Sequence, residues 1–199
     1  MSLAVAIWAI CPAFANPLLL MPTGTTLSTG QYRAEAALSP NNDHGKYFWL
    51  GTGFRQCEVN VIRVDSRLGR DENLIDVQCS FLPETFLTPA VAFGATDVAS
   101  QSAEGIGVYI VITRHLPIGE SSPLLKDFAL TAGVGIAGIR GPFFGFEAKL
   151  PGSFFAEGEY DSQDLNAAVG WEPMPYFRIK AYTIRSEVYF GAEVASVTF

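Results

Sequence analysis

The chain has 199 residues, of which 49% are hydrophobic and only 17% are charged, and its formal net charge is −7. A soluble domain ordinarily carries about 25% charged residues, so this composition favours a surface that faces lipid. The acidic balance argues against nucleic-acid binding, because no excess of basic side chains is available to replace the counterions of phosphates. The length suffices for one domain with a sizeable core or barrel.

Residues 1–15 predict a signal peptide, because an apolar run ends in the small-x-small sequence AFA. We expect cleavage near Ala15, so that the mature chain begins at Asn16. The alternatives are a buried or membrane helix and a lipoprotein, although a bulky isoleucine precedes Cys11. Beyond Ala15 no stretch approaches the roughly 18 unbroken apolar residues of a membrane helix. A mature chain in a membrane would therefore have to form a β-barrel.

Residues 16–30 are rich in Pro, Gly and Thr and predict an irregular segment. From residue 31 to residue 199, apolar residues alternate with polar or small ones, which is typical of strands that are apolar on one face. The pattern predicts twelve strands at 31–38, 46–54, 57–66, 73–82, 88–98, 106–115, 128–138, 143–150, 153–161, 165–172, 176–184 and 188–199.

The predicted fold class is all-β, an up-and-down antiparallel transmembrane barrel of about twelve strands. Most of the strands are about as long as a bilayer crossing requires, and their number is even. The polar face of the third strand changes parity near Val61, which predicts a β-bulge. A soluble β-sandwich also alternates, but it would carry more Lys and Glu on its outer faces.

Both chain ends are expected on the periplasmic side of the outer membrane, because the number of strands is even. The long connection at 116–127 then also faces the periplasm, where we expect a contact with a periplasmic partner.

Charged residues of both signs fall on the polar faces of the predicted strands. We interpret them as side chains that line the lumen, where they can form ion pairs or border a path for a polar solute. The candidates are Arg33, Glu35, Arg63, Asp65, Asp76, Arg114, Glu147, Lys149, Glu157, Glu159, Asp161, Arg178, Lys180 and Glu193.

Glu157, Glu159 and Asp161 alternate along one strand, about 6.5–7 Å apart. That spacing would permit a glycosidase pair, but nothing supplies the rest of a site, and a lumen-facing line neutralised by basic neighbours is the preferred interpretation. His44 and His115 lack a nearby Cys or second His, so no metal site is predicted. No nucleophile elbow, P-loop or dinucleotide motif occurs, so neither an enzyme nor a cofactor is predicted.

Cys57 and Cys79 are expected near facing positions of one hairpin. A disulfide is one interpretation, because the periplasm is oxidising. The other is that both are small apolar residues on the lipid face.

Two segments carry a resemblance to a known family. Residues 87–117 contain a P-x-x-A-x-G-x-x-D strand followed by a Y-x-V-x-T-R strand, and residues 156–181 contain E-Y-D-x-x-D-x-N-A followed by a P-x-P turn. Both resemble YjbH-type outer-membrane proteins of exopolysaccharide loci, which are longer. The matching residues are Pro89, Ala92, Gly94, Asp97, Tyr109, Val111, Thr113, Arg114, Glu159, Tyr160, Asp161, Asp164, Asn166, Ala167, Pro173 and Pro175.

The resemblance implies an outer-membrane barrel with a channel or structural role in exopolysaccharide biosynthesis or export. The partners it implies are outer-membrane lipid, polysaccharide and periplasmic export proteins. A small solute-selective pore, a barrel-embedded hydrolase and a soluble periplasmic binding module stay open as alternatives.

Overall fold

A computed structural model describes residues 18–40, 45–65, 72–116, 118 and 122–196. The predicted signal peptide with Cys11, and also His44, lie outside the described residues. In the part of the chain that is described, no helix has the length and apolar character to span a membrane.

Twelve strands form one closed barrel in which each strand pairs antiparallel with its neighbours in the chain, and β12 pairs with β1. The predicted fold class is confirmed, and a single closed sheet excludes the two-sheet sandwich. The strands are β1 Tyr32–Leu38, β2 Lys46–Phe54, β3 Cys57–Asp65, β4 Glu72–Leu82, β5 Ala90–Thr96, β6 Gly107–Leu116, β7 Asp127–Ala137, β8 Gly141–Lys149, β9 Phe154–Tyr160, β10 Leu165–Met174, β11 Phe177–Ile184 and β12 Glu187–Ala195.

Odd-numbered strands run from one rim of the barrel to the other, and even-numbered strands run back. The rim at which β1 begins and β12 ends is called the lower rim, and the opposite one the upper rim. A 3-10 turn at Pro151–Ser153 joins β8 to β9 at the lower rim.

The outer wall of the barrel is apolar, as a lipid-facing surface requires. Successive side chains of a strand point to opposite faces, so every second residue contributes to this wall. Its exposed large side chains include Leu50, Val59, Ile75, Phe93, Ile110, Ile112, Leu130, Val134, Phe144, Val169, Ile179 and Phe190.

Strand β3 is regular throughout, and the bulge predicted near Val61 is wrong. Its register with β2 and β4 runs without interruption along its whole length. The inward side chains are Glu58, Asn60, Ile62 and Val64. The inward face of β3 is therefore polar in its first half and apolar in its second half. The predicted bulge would turn the side chains of Arg63 and Asp65 into the lumen, and a regular strand does not do so.

Buried apolar side chains form two clusters inside the barrel. One is rich in aromatic residues and includes Tyr47, Trp49, Tyr182 and Tyr189. The other includes Tyr109 and Phe143 together with leucine and methionine from the segment that precedes β1. That segment therefore belongs to the interior of the barrel.

Candidate functional site: the filled lumen

Residues 18–30, called here the plug, lie inside the barrel. At the end of the plug near the upper rim, the backbone N–H groups of Leu20 and Met21 donate hydrogen bonds to the carboxylate of Glu159, at 3.0 and 3.1 Å. A charged acceptor makes such bonds stronger than those between neutral groups. The plug also contributes apolar side chains to the interior, and the buried ones are Leu18, Leu19, Met21 and Leu27.

The middle of the plug is held by β4 and β6. The side-chain amide of Gln78 donates hydrogen bonds to the carbonyl oxygens of Thr23 and Thr25, at 2.8 and 3.2 Å. The N–H of Gly24 donates to the hydroxyl oxygen of Thr113 at 2.7 Å. Side chains of the wall thus satisfy backbone groups that would otherwise be buried without partners.

The lower end of the plug leads into β1. The N–H of Leu27 donates to a carboxylate oxygen of Glu58 at 2.7 Å, and the amide of Asn60 donates to the other oxygen at 3.0 Å. A short bridge between Thr29 and Gly53 then guides the chain to the lower rim. The plug is therefore attached along its length by side chains of several strands, which include β3, β4, β6 and β9.

The opposite side of the lumen holds a buried group of ion pairs. The ammonium group of Lys180 lies 2.6 Å from a carboxylate oxygen of Glu35 and 2.9 Å from one of Glu193. The guanidinium group of Arg33 contacts the same two carboxylates, at 3.4 Å from Glu35 and 2.9 Å from Glu193. All four side chains are at most 3% exposed.

Arg178 extends these ion pairs toward β8, β9 and β10. Its guanidinium group lies 2.7 Å from Glu172, 3.3 Å from Glu147 and 3.6 Å from Glu157. It also lies 4.7 Å above the centre of the Phe155 ring, which is a cation–π distance.

These eight side chains form what is called here the ion-pair cluster. Burial of charges is costly unless they are paired, and each cation here faces at least two carboxylates. The arrangement ties together strands on both sides of the β1–β12 closure and is suited to a rigid interior post. Its members are Arg33, Glu35, Glu147, Glu157, Glu172, Arg178, Lys180 and Glu193.

A group of tyrosines joins the ion-pair side of the lumen to the plug. The ring of Tyr182 stacks on Tyr189 at 5.8 Å and meets Tyr47 edge-on at 5.9 Å. The hydroxyl of Tyr47 donates to the carbonyl oxygen of Leu19 at 3.1 Å. The plug therefore contacts both sides of the interior.

A cavity of about 100 Å³ opens at the upper rim above Leu20 and Met21. Asp76, Asp97 and Asp161 contribute to its lining. Below it the plug and the ion-pair cluster occupy much of the lumen of the described barrel.

Most of the charged residues predicted to line the lumen are brought to its inner wall. They come from β1, β4, β8, β9, β11 and β12, and all share the inward parity of their strands. Asp161 lies at the upper end of β9, where it borders the cavity. The inward residues are Arg33, Glu35, Asp76, Glu147, Lys149, Glu157, Glu159, Arg178, Lys180 and Glu193.

The structure places two of the predicted residues, Arg63 and Arg114, on the outer face, whereas Asp65 is buried at the upper end of β3, where it pairs with Arg63. The side chain of Arg63 is 54% exposed and donates a hydrogen bond to Asp65 at 2.8 Å, because residues two apart in a regular strand share a face. Arg114 has the parity of the lipid-facing Ile112 and lies at the lower rim. Their positions correct the prediction that they line the lumen.

Several polar residues of the lumen were not predicted. Glu58 and Asn60 hold the plug from β3, and Gln78 holds it from β4. Ile62 points inward, and regular alternation along β3 then places Glu58 and Asn60 on the same inward face. No local pattern indicates that Thr113 or Gln78 contacts a segment more than fifty residues away.

The aspartates that carry the family resemblance stabilise turns at the upper rim. Asp161 accepts hydrogen bonds from the N–H groups of Gln163 and Asp164, at 3.0 and 2.7 Å. Asp97 accepts bonds from the N–H of Gln101 and from both the N–H and the hydroxyl of Ser102. Burial alone would raise the pKa of Asp97, but these bonds more than offset it and hold the pKa below its usual range.

Cys57 and Cys79 lie directly opposite each other on β3 and β4, and their sulfur atoms are bonded. They have outward parity, so the disulfide lies in the outer wall.

The line of alternating carboxylates on β9 has three separate structural partners. Glu157 faces Arg178, Glu159 binds the plug, and Asp161 stabilises a turn. Among the described residues, no group of three or more His, Cys, Asp or Glu side chains could hold a metal ion. The arrangement favours the interpretation of a lumen-facing line over that of an acid–base pair.

Comparison with known proteins agrees with the fold and gives no family. No family model matches the chain, and no curated protein matches it. A solved structure described as a KdgM porin is similar with a TM-score of 0.53 and 10% sequence identity, over 85% of this chain and 99% of that chain. At this identity the similarity concerns the fold alone. Fold and interior together define a closed twelve-stranded β-barrel with an apolar outer wall and an internal plug.

Proposed function

We propose that this protein is an outer-membrane channel for small polar solutes that its own N-terminal segment holds closed. The observation that carries the proposal is the attachment of the plug. Its backbone is bound to Glu58, Gln78, Thr113 and Glu159 through hydrogen bonds, which can break and form again. A reversible plug inside a membrane barrel is suited to gating.

The part of the inner wall that contacts the plug is polar. The side chains that now bind the plug would face water if it left, and they include carboxylate, amide and hydroxyl groups. A twelve-stranded barrel is wider than the eight-stranded barrels that side chains alone can fill. The ion-pair cluster would remain as a fixed post and narrow the path, which favours small solutes.

Conductance in planar bilayers tests this proposal. We expect few or no conductance steps from the whole protein, and stable steps from a variant that lacks residues 18–27. Both proteins should show the same shift in gel mobility on heating, which reports a folded barrel. A deletion variant that is folded and yet gives no steps would contradict the channel and favour a purely structural barrel.

A finer proposal is that the barrel serves exopolysaccharide biosynthesis or export, with polysaccharide and periplasmic export proteins as partners. It is supported by the resemblance of residues 87–117 and 156–181 to YjbH-type proteins, and these segments contain the β5–β6 hairpin and most of the β9–β10 hairpin. Deletion of the gene should reduce secreted polysaccharide, and complementation should restore it. Unchanged secretion in the deletion strain would reject this assignment.

A further inference from the structure

The loop between β4 and β5, residues 83–89, is called here the rim loop and displays two large apolar side chains. Phe86 is 86% exposed and Leu87 is 85% exposed, the highest values among the large hydrophobic residues described. The upper-rim loop after β5 exposes the small or polar residues Ala99, Ser100 and Gln101, and its large apolar residues Val98 and Ile106 are only 39% and 47% exposed. Two adjacent large apolar side chains exposed on a loop indicate contact with an apolar partner, because exposure of such a patch to water is unfavourable.

The backbone of the rim loop is largely satisfied from within the protein. The guanidinium group of Arg114 donates hydrogen bonds to the carbonyl oxygens of Thr85, Phe86 and Thr88. The hydroxyl of Thr85 accepts from the N–H groups of Leu87 and Thr88, at 3.2 and 3.1 Å, and the N–H of Thr85 donates to the carbonyl of Thr88. Water is therefore not needed as a partner for these groups.

A second attachment fixes the start of the loop to β6. Glu84 accepts a hydrogen bond from the N–H of His115 at 2.8 Å, and its other oxygen lies 2.6 Å from Nδ1 of the same histidine. Glu84 also lies 3.8 Å from the guanidinium group of Arg114. The carboxylate is thus turned toward His115 and the guanidinium group of Arg114.

Internal satisfaction of the backbone lowers the cost of contact between the loop and the membrane interface, because lipid offers no hydrogen-bond partners. The rim loop combines this property with apolar side chains at its tip. It is also continuous with the lipid-facing wall, since Phe81 on β4 is 74% exposed and leads directly to it. Arg114 is partly exposed beside the loop, where a cation suits the level of anionic headgroups.

From these observations we infer that the rim loop lies at the membrane interface, where the side chains of Phe86 and Leu87 enter the lipid and anchor the lower rim of the barrel. The occupant of this surface is the headgroup-proximal acyl region of the leaflet. Arg114 is the positioning residue that allows the loop backbone to leave water. The inference requires only that the barrel spans a membrane and is independent of conduction.

Spin-label accessibility tests the inference. Leu87→Cys carries the label, Ile110→Cys serves as the lipid-facing reference, and Ala99→Cys serves as the water-facing reference, all in a Cys11→Ser background. The proteins are placed in nanodiscs of phosphatidylethanolamine and phosphatidylglycerol. Collisions with oxygen and with a water-soluble nickel chelate are then compared.

We expect the label at Leu87 to be protected from nickel and accessible to oxygen, as at Ile110. A nickel accessibility equal to that at Ala99 would overturn the inference. Protection that occurs in native membranes but not in pure lipid would also overturn it, in favour of a protein partner.

A second comparison tests the role of Arg114. Arg114→Gln should raise nickel accessibility at Leu87 several-fold while the heat-dependent gel mobility stays unchanged. Lys126→Gln removes a positive charge from the same rim and should leave the label protected. Equal behaviour of the two variants would show that Arg114 does not position the loop.

Discussion

Lys180 shows how a single charged residue is accommodated in this barrel. Its ammonium group is fully buried, and the carboxylates of Glu35 and Glu193 lie within 3 Å of it. Alternation along β11 predicts that Lys180 points inward, and this can be derived from the sequence. Which carboxylates it meets depends on the pairing of β11 with β12 and of β12 with β1, and no pattern within β11 contains that information.

Replacement of Lys180 by methionine should destabilise the protein by about 3–5 kcal/mol, because it leaves buried carboxylates without their cation. The double variant Lys180→Met/Glu35→Gln should recover most of this loss, since Glu193 keeps Arg33 as a partner. Unfolding by denaturant in detergent micelles measures both. A single variant as stable as the unmodified protein would contradict the structural role of the cluster.

At the scale of elements, the plug and the strands differ in how far the sequence predicts them. The strands have a period of two residues, which is visible within each strand. Residues 18–30 have no period, and the sequence predicts only that they are irregular. Their position follows from contacts such as that between Leu20 and Glu159, which are 139 residues apart in the chain.

Small residues on the inner wall are a second element-scale feature. A Cβ atom at Gly133 would collide with the ring of Phe143, and one at Gly145 would collide with Leu18 of the plug. The small residues in the Gly-rich part of β7 leave space inside the barrel. The structure adds that the space is taken by an aromatic ring from the neighbouring strand.

Glu159→Ala should loosen the plug without unfolding the barrel, because it removes the acceptor of the Leu20 and Met21 N–H groups. We expect faster amide hydrogen exchange over residues 18–22, by roughly tenfold for each 1.4 kcal/mol lost. Glu157→Gln is the matched control, since its partner is Arg178 and not the plug. Equal exchange of the plug in both variants would mean that Glu159 does not hold it.

The whole molecule is defined by closure of the sheet and by its two opposite surfaces. Closure removes the sheet edges, and the apolar outer wall then faces lipid while charges collect inside. The even number of predicted strands and the low fraction of charged residues both indicate this architecture. The outward positions of Arg63 and Arg114 could not be predicted reliably, because charged residues at a rim can lie on either face.

Ile112→Arg should impair insertion of the barrel into lipid, because Ile112 lies near the middle of β6 on the outer wall. The expected cost is about 2–4 kcal/mol in a bilayer. Ala99→Arg in the upper-rim loop should cost almost nothing. Folding yields into lipid vesicles measure the difference, and equal yields would contradict a membrane position for this face.

The sequence by itself determines the strands, their number and, for most of them, the face that looks inward. These properties are local, since alternation can be recognised within ten residues or fewer. Only the tertiary structure decides that residues 18–30 occupy the lumen, and that Lys180 and Arg178 meet particular carboxylates. The physical reason is that these contacts join different strands or segments far apart in the chain, and the contact between Lys180 and Glu35 exists only after β12 has paired with β1 to close the barrel.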